Sequence, residues 1–219
     1  MNGVEISSNL RVLANNKGAI GIGALIIFIS MILVAGIAAN VLIQTMNTLQ
    51  EKALQTGDET LRDISGGIRV THISGKANIS KINQIAIIIT PTASANIDLS
   101  STYLSLSDTT KNVIMNYNGS VFASTVSNGL FNTLNSSNLT STTFGIIVIR
   151  DTDSSCDVNS PTINDNDLVV ILINTTKCFS GIGRKVDIFG SIYPEYGMSG
   201  VISFTTPSSY VDTIIDLQP

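Results

Sequence analysis

Five aspartates fall between positions 151 and 167: Asp151, Asp153, Asp157, Asp165 and Asp167. Carboxylate oxygens at alternating positions are ligands for a hard cation, and Ca2+ is the natural candidate. The stretch lacks the Gly at position six and the Glu at position twelve of an EF-hand loop, so a solvated acidic loop between two strands is the competing reading. Cys156 and Cys178 are the only cysteines, with no C-x-x-C spacing, which argues against a zinc knuckle or a thioredoxin-type motif. Outside the cell a disulfide closing a loop of roughly 20 residues would stabilise by about 3 kcal/mol. Two buried free thiols are the alternative. Five Asn-x-Ser/Thr sequons, at Asn78, Asn118, Asn135, Asn138 and Asn174, are acceptors for N-linked glycans in an exported chain. The motif also arises by chance in a Ser/Thr/Asn-rich sequence; Asn135 and Asn138, within LNSSNLTSTT, have the most loop-like setting.

Nothing in the chain assembles a catalytic constellation. His72 is the only histidine, and one histidine among many serines does not make a triad. Gly181-Ile182-Gly183-Arg184-Lys185 lacks the spacing and the strand–loop–helix context of a phosphate loop. The net charge is −4, with +1 on residues 1–18 and −5 on the rest, and there is no Trp. Residues 150–219 hold nine acidic against four basic side chains. A nucleic-acid surface needs clustered Lys and Arg. These features predict a protein that is not an enzyme, requires no cofactor and binds no nucleic acid.

The elements that carry these residues fall into two parts. Residues 19–39, AIGIGALIIFISMILVAGIAA, contain one polar side chain, Ser30, and no charge occurs from Gly18 to Gln50. A helix apolar around its whole circumference must be buried on all sides, in lipid or among other helices. Arg11 and Lys17 precede it, which predicts an N-in, C-out orientation in a membrane. A signal anchor is the plain reading of such a segment. A cleaved secretory signal fits less well, because its apolar region is shorter and ends at a small-residue cut site. Here the helical pattern continues. Met46, Leu49, Ala53, Gly57, Leu61 and Ile64 form a stripe opposite Glu51, Asp58, Glu59, Arg62 and Asp63. Gly66-Gly67 should stop the helix. Its length would be on the order of 70 Å, more than a bilayer needs, so its distal half should pack on protein. Gly21, Gly23 and Gly36 would let neighbouring helices approach closely.

The run Lys17-Gly18-Ala19-Ile20-Gly21-Ile22-Gly23, followed by ALIIFISMILVAGIAANVLI, resembles the start of archaeal flagellins (archaellins): a short charged leader ending in a basic residue and Gly, then A-x-G-I-G and a long apolar helix. LQEKALQTGDETLRDISGGIRVTHISG, INQIAIIITPTASANIDLSSTYLSLSD and the end from Phe204 to Pro219 are similar to later parts of that family; residues 110–190 are the least specific. The resemblance implies that a membrane aspartic peptidase removes residues 1–18 by cutting between Gly18 and Ala19. It implies that residues 19–66 then form a filament core as in type IV pilins, with residues 67–219 on the outside. Partners would be copies of the chain, other flagellins, the leader peptidase and the membrane assembly machinery. The precursor would be membrane-inserted and the product extracellular. Gly23, fifth after the cut, stands where bacterial type IV pilins usually carry Glu. The physics agrees: moving such a run out of water is worth about 25 cal/mol per Å2 of apolar area.

After Gly67 the pattern becomes short β-rich runs at 68–73, 82–90, 102–107, 112–117, 144–150, 167–175, 185–190 and 200–206, separated by turn residues. The expected fold class is α+β: a long N-terminal hydrophobic helix, then an antiparallel β-sandwich or barrel-like domain. Two other functions share these elements. An adhesive pilin would use the same leader chemistry, and a membrane-anchored binding module would keep residues 1–18 and present a ligand pocket.

Overall fold

The structure, a computed structural model, describes the backbone of residues 3–92 and 96–218, and their side chains except those of residues 3–17, Ala19, Arg62 and Ser65. The chain divides into two compact units, Met1–Gly57 and Asp58–Pro219. Helix α1 spans Gly3–Ser65, so the described part of the first unit is helical throughout. Within Ile20–Leu61 the most apolar window reaches a mean hydropathy of 2.8, which is long and apolar enough to cross a membrane. The few hydroxyls there satisfy themselves. Ser30 Oγ donates to the Ile26 carbonyl at 2.9 Å, Thr45 Oγ1 to Val41 at 2.8 Å and Thr48 Oγ1 to Gln44 at 3.0 Å. Such i−4 bonds leave no hydroxyl proton demanding water.

In the second unit the helix ends at Ser65 and the backbone turns through Gly66-Gly67. Met198 donates its amide to the Gly66 carbonyl at 2.9 Å, and Ile68 donates to the Met198 carbonyl at 3.0 Å. Gly197 makes this approach with φ at +88°, and a Cβ there would collide with the Gly66 carbonyl. Only glycine fits such a position without strain.

The strands are β1 (Ile68–Ala77), β2 (Ile82–Pro91), β3 (Ile97–Asp98), β4 (Tyr103–Ser107), β5 (Asn112–Ala123), β6 (Thr143–Arg150), β7 (Thr162–Ile163), β8 (Leu168–Asn174), β9 (Asp187–Tyr193), β10 (Gly200–Thr205) and β11 (Ile214–Gln218), with a short helix α2 at Thr175–Phe179. Nine strands make one sheet in the order β10-β9-β4-β5-β6-β8-β2-β1-β11, and β3 pairs β7. The edges come together: Ser203 on β10 donates its amide to Gln218 Oε1 on β11 at 3.3 Å, and Gly200 lies against the Ile68 carbonyl. The fold is therefore α+β as expected, with one nearly closed, barrel-like sheet. All eight expected strands form. Two short strands and β11 were not legible, because a two-residue bridge has no periodicity and IIDLQ resembles a tail until β1 pairs with it.

One pairing departs from the antiparallel expectation. β5 and β6 run parallel. A parallel pair needs a crossover instead of a hairpin, and residues 124–142 supply it. Phe131, Leu134 and Leu139 of the crossover bury the outer side chains Ala86, Ile147, Val170 and Leu172 in a second small core. Strands β2, β6 and β8 are thus covered on both faces, which is why IAIIIT, GIIVI and LVVILI are apolar without alternation. The main core lies inside the barrel and includes Ile73, Ile87, Leu104, Phe144, Ile171 and Ile192, all fully buried. The strands lacking a cover alternate: β10 is buried and exposed residue by residue.

Candidate assembly surface and acidic site

The largest feature that the chain leaves uncovered is its helix. Large apolar side chains from Ile20 to Leu49 are 48% to 72% exposed, with Ile29 and Ile20 at the extremes. An amphipathic surface helix would hide one face. Here no face from Ile20 to Val34 is spared. The stripe residues Met46, Leu49, Leu61 and Ile64 are also exposed. Gly21, Gly23, Gly36 and Gly57 each have open space where a Cβ would stand. Gly18 lies in the same helix, also with open space around it, while the Ala19 side chain is outside the described residues. Chemically this surface can do one thing: exchange one apolar environment for another.

The second site sits between the end of β6 and the start of β8. Of the five aspartates, Asp151, Asp153 and Asp167 converge, with one oxygen from each within 4.8 Å of the others. Asp157 and Asp165 stay outside this group, a correction to the five-residue expectation. Asp157 accepts from the Val158 amide at 2.7 Å within its own turn, and Asp165 lies in the turn that the Asp167 amide closes on the Asn164 carbonyl at 3.1 Å. Asp151 accepts from the Cys156 amide at 3.0 Å. Asp153 accepts from Asn164 Nδ2 at 2.6 Å and the Ser155 amide at 3.1 Å; these bonds, Asn164 first, hold its carboxyl below the usual range. Asp167 is fully buried; its Oδ2 accepts from the Asn164 amide at 2.9 Å, while Oδ1 has no partner. An orphaned buried carboxylate oxygen is costly. Three oxygens facing one another suit a divalent cation. The bridging role of Asn164 was missed in the sequence; its only signal was an amide inside an aspartate run.

The two cysteines are free and buried, not bridged. Cys178 on α2 lies 3.8 Å from the Ser141 carbonyl and from Met115 Sδ, just before β6 begins. Cys156 is bonded to Asp151, just after β6 ends. The eight residues of β6 span about 25 Å at roughly 3.3 Å each, and a disulfide needs Cα atoms within about 7 Å. Burial pushes the Cys178 thiol up to about 11; burial, then the Asp151, Asp167 and Asp157 carboxylates, pushes Cys156 to about 12.

The sequons also divide. Asn78, Asn118, Asn135 and Asn138 are exposed. Asn174 is buried and caps α2: its Oδ1 accepts from the Thr176 and Lys177 amides, and its Nδ2 donates to the Ser136 carbonyl at 2.9 Å. A glycan would attach to that nitrogen, so Asn174 is removed from the acceptor set. His72 forms an exposed pair with Asp216 at 3.2 Å. Gly181-Ile182-Gly183 is the exit from α2, entered through left-handed Ser180 and Gly181.

Comparison with known proteins settles the family. The archaeal-type flagellin model matches residues 18–204. This chain belongs to the archaeal-type flagellin family. Flagellin B2 of Methanocaldococcus jannaschii is 41% identical, over 94% of this chain and 97% of its own. The crystal structure of an archaeal flagellin from the same organism matches with a TM-score of 0.64 at 30% identity, covering 70% of this chain and 97% of that one. The archaeal flagellum structure of Methanospirillum hungatei shares the fold over 90% of this flagellin and 98% of its own chain, with a TM-score of 0.61 at 12% identity.

Proposed function

We propose that this flagellin is a structural subunit, not an enzyme, that polymerises through α1 into an extracellular motility filament. One observation carries the reading: a helix apolar on every side and exposed from Ile20 onward in the single chain. Water does not tolerate a patch of that size on a free subunit. While membrane-held, the helix is solvated by lipid; drawn into a filament, it exchanges lipid for identical helices. Residues 1–18 are a leader removed between Gly18 and Ala19, residues 19–66 form the filament core, and residues 67–219 form the outer layer, modified on exposed sequons. The contacts are head-to-tail and non-closing. Partners before assembly are the membrane, the leader peptidase and the assembly machinery; other flagellins can share the filament. Family membership favours a flagellin over an adhesive pilin.

Electron microscopy and N-terminal sequencing of native material test this. Fibres whose subunit begins at Ala19 are expected. Lone globules that retain Met1 would refute it. A second reading concerns the acidic site: Asp151, Asp153 and Asp167 bind Ca2+, supported by the unpartnered Asp167 Oδ1.

A further inference from the structure

The barrel has two outer faces that the chain treats differently. Over β2, β6 and β8 the crossover supplies its own cover. Over β4, β9, β10 and the first half of β5 the described residues supply none. Yet that bare face carries Tyr103, Ile114, Phe189, Tyr193 and Val201, each 51% to 63% exposed. Their registers make one patch. Tyr103 stands opposite Tyr193; Ile114, Ser105, Ser191 and Val201 form one row across four strands; Phe189 lies in the next row, between Ser107 and Ser203. Ser105 and Ser191 are half-buried at the centre. The result is one patch with small residues in the middle and large apolar ones around it.

Charge is missing where a solvent-facing sheet would place it. Among the outward positions of these four strands up to Asn116, Asp187 is the only charged residue, and it accepts from Thr205 Oγ1 at 2.6 Å. β4, β9 and β10 contain no asparagine, so no sequon lies on them. The exposed apolar area is on the order of 500 Å2, taking half of each large side chain. A stable free-standing dimer uses about 800 Å2 per partner. The patch is therefore too small to act alone and suits a secondary contact in an assembly held mainly elsewhere. Past Tyr193 the loop back to β10 carries two further exposed large side chains, Tyr196 and Met198.

The geometry points to the outer face of β5-β4-β9-β10 as a subunit–subunit contact whose occupant is the barrel of a second copy of this chain. This rests on the filament reading and extends it from the helix to the β domain. The test uses full-length Val201→Lys and Ile114→Lys, with Thr125→Lys on the crossover as control. Phe189→Ser removes a ring without adding charge, so the test stays readable if a lysine disturbs folding. Melting of the β domain should be unchanged, while the subunit concentration left unpolymerised should rise about tenfold or more in the lysine variants, because each places an unpaired charge in a closed contact. Thr125→Lys should match wild type. Lysine and serine variants that polymerise like wild type would overturn the contact. So would normal filaments that lose only a foreign protein, since the occupant would then not be a second copy. A wild-type chain that forms no filament would instead overturn the helix reading.

Discussion

Replacing Ile32 by Ala should weaken the filament in every subunit without harming the subunit itself. Ile32 is 55% exposed in the single chain, so more than half of its side chain is left for neighbours. The substitution removes three carbons, worth about 2.4 kcal/mol if fully transferred at roughly 0.8 kcal/mol each. Scaling by the exposed share leaves about 1.3 kcal/mol, and the cavity between helices brings the cost to about 2 kcal/mol. Alanine is the better helix former, so helix loss is not an alternative cause. Filaments and free subunits would be separated by sedimentation across a titration of mild detergent, which keeps released helices soluble. At about 1.4 kcal/mol per decade, the free subunit concentration should rise roughly thirtyfold. Glu51→Ala, on the charged side of the same helix, should stay within about twofold. An Ile32→Ala filament that releases no more subunit than Glu51→Ala would show that this helix is not the polymerising surface.

Three further outcomes are expected. Saturating Ca2+ should raise the melting temperature by about 5–10 °C, as binding at a hundredfold excess over Kd gives about 2.7 kcal/mol; Asp167→Asn should abolish the shift, and an unmoved wild-type curve under chelator and calcium alike would remove the metal reading. The native protein should not react with a thiol reagent at pH 8 but should yield two thiols per chain when unfolded without reductant; none would reveal a disulfide. Because burial raises both folded thiols above the ordinary thiol range, the unfolded state loses their protons first, so stability should fall as pH rises from about 9 toward 12. Asn174→Ala should cost about 1 kcal/mol through the lost cap and leave any glycan mass unchanged; a glycan mapped to Asn174 would contradict its burial.

The helix was readable from composition alone. A run with one polar residue in twenty-one admits a single conformational answer wherever water is absent, and Ser30 bonding back to Ile26 needs no tertiary partner. The strands were readable for the same local reason: β-branched runs between turn residues. What residue order could not convey was which distant segments meet. The parallel β5–β6 pair follows from a crossover that lies flat on the sheet, and Gly145 sits beneath it, where a Cβ would meet Leu134 and Leu139 of the crossover and the Val121 carbonyl of β5. The aspartates were visible as a group of five, but the partition into three and two depends on where β6 ends and β8 begins. Cys156 and Cys178 looked close because only a loop-length separation was apparent; the strand between them carries them to opposite ends of the sheet. Local sequence determines each element through short-range sterics and burial. Proximity between elements is decided by the packing of the whole barrel, which no local pattern encodes.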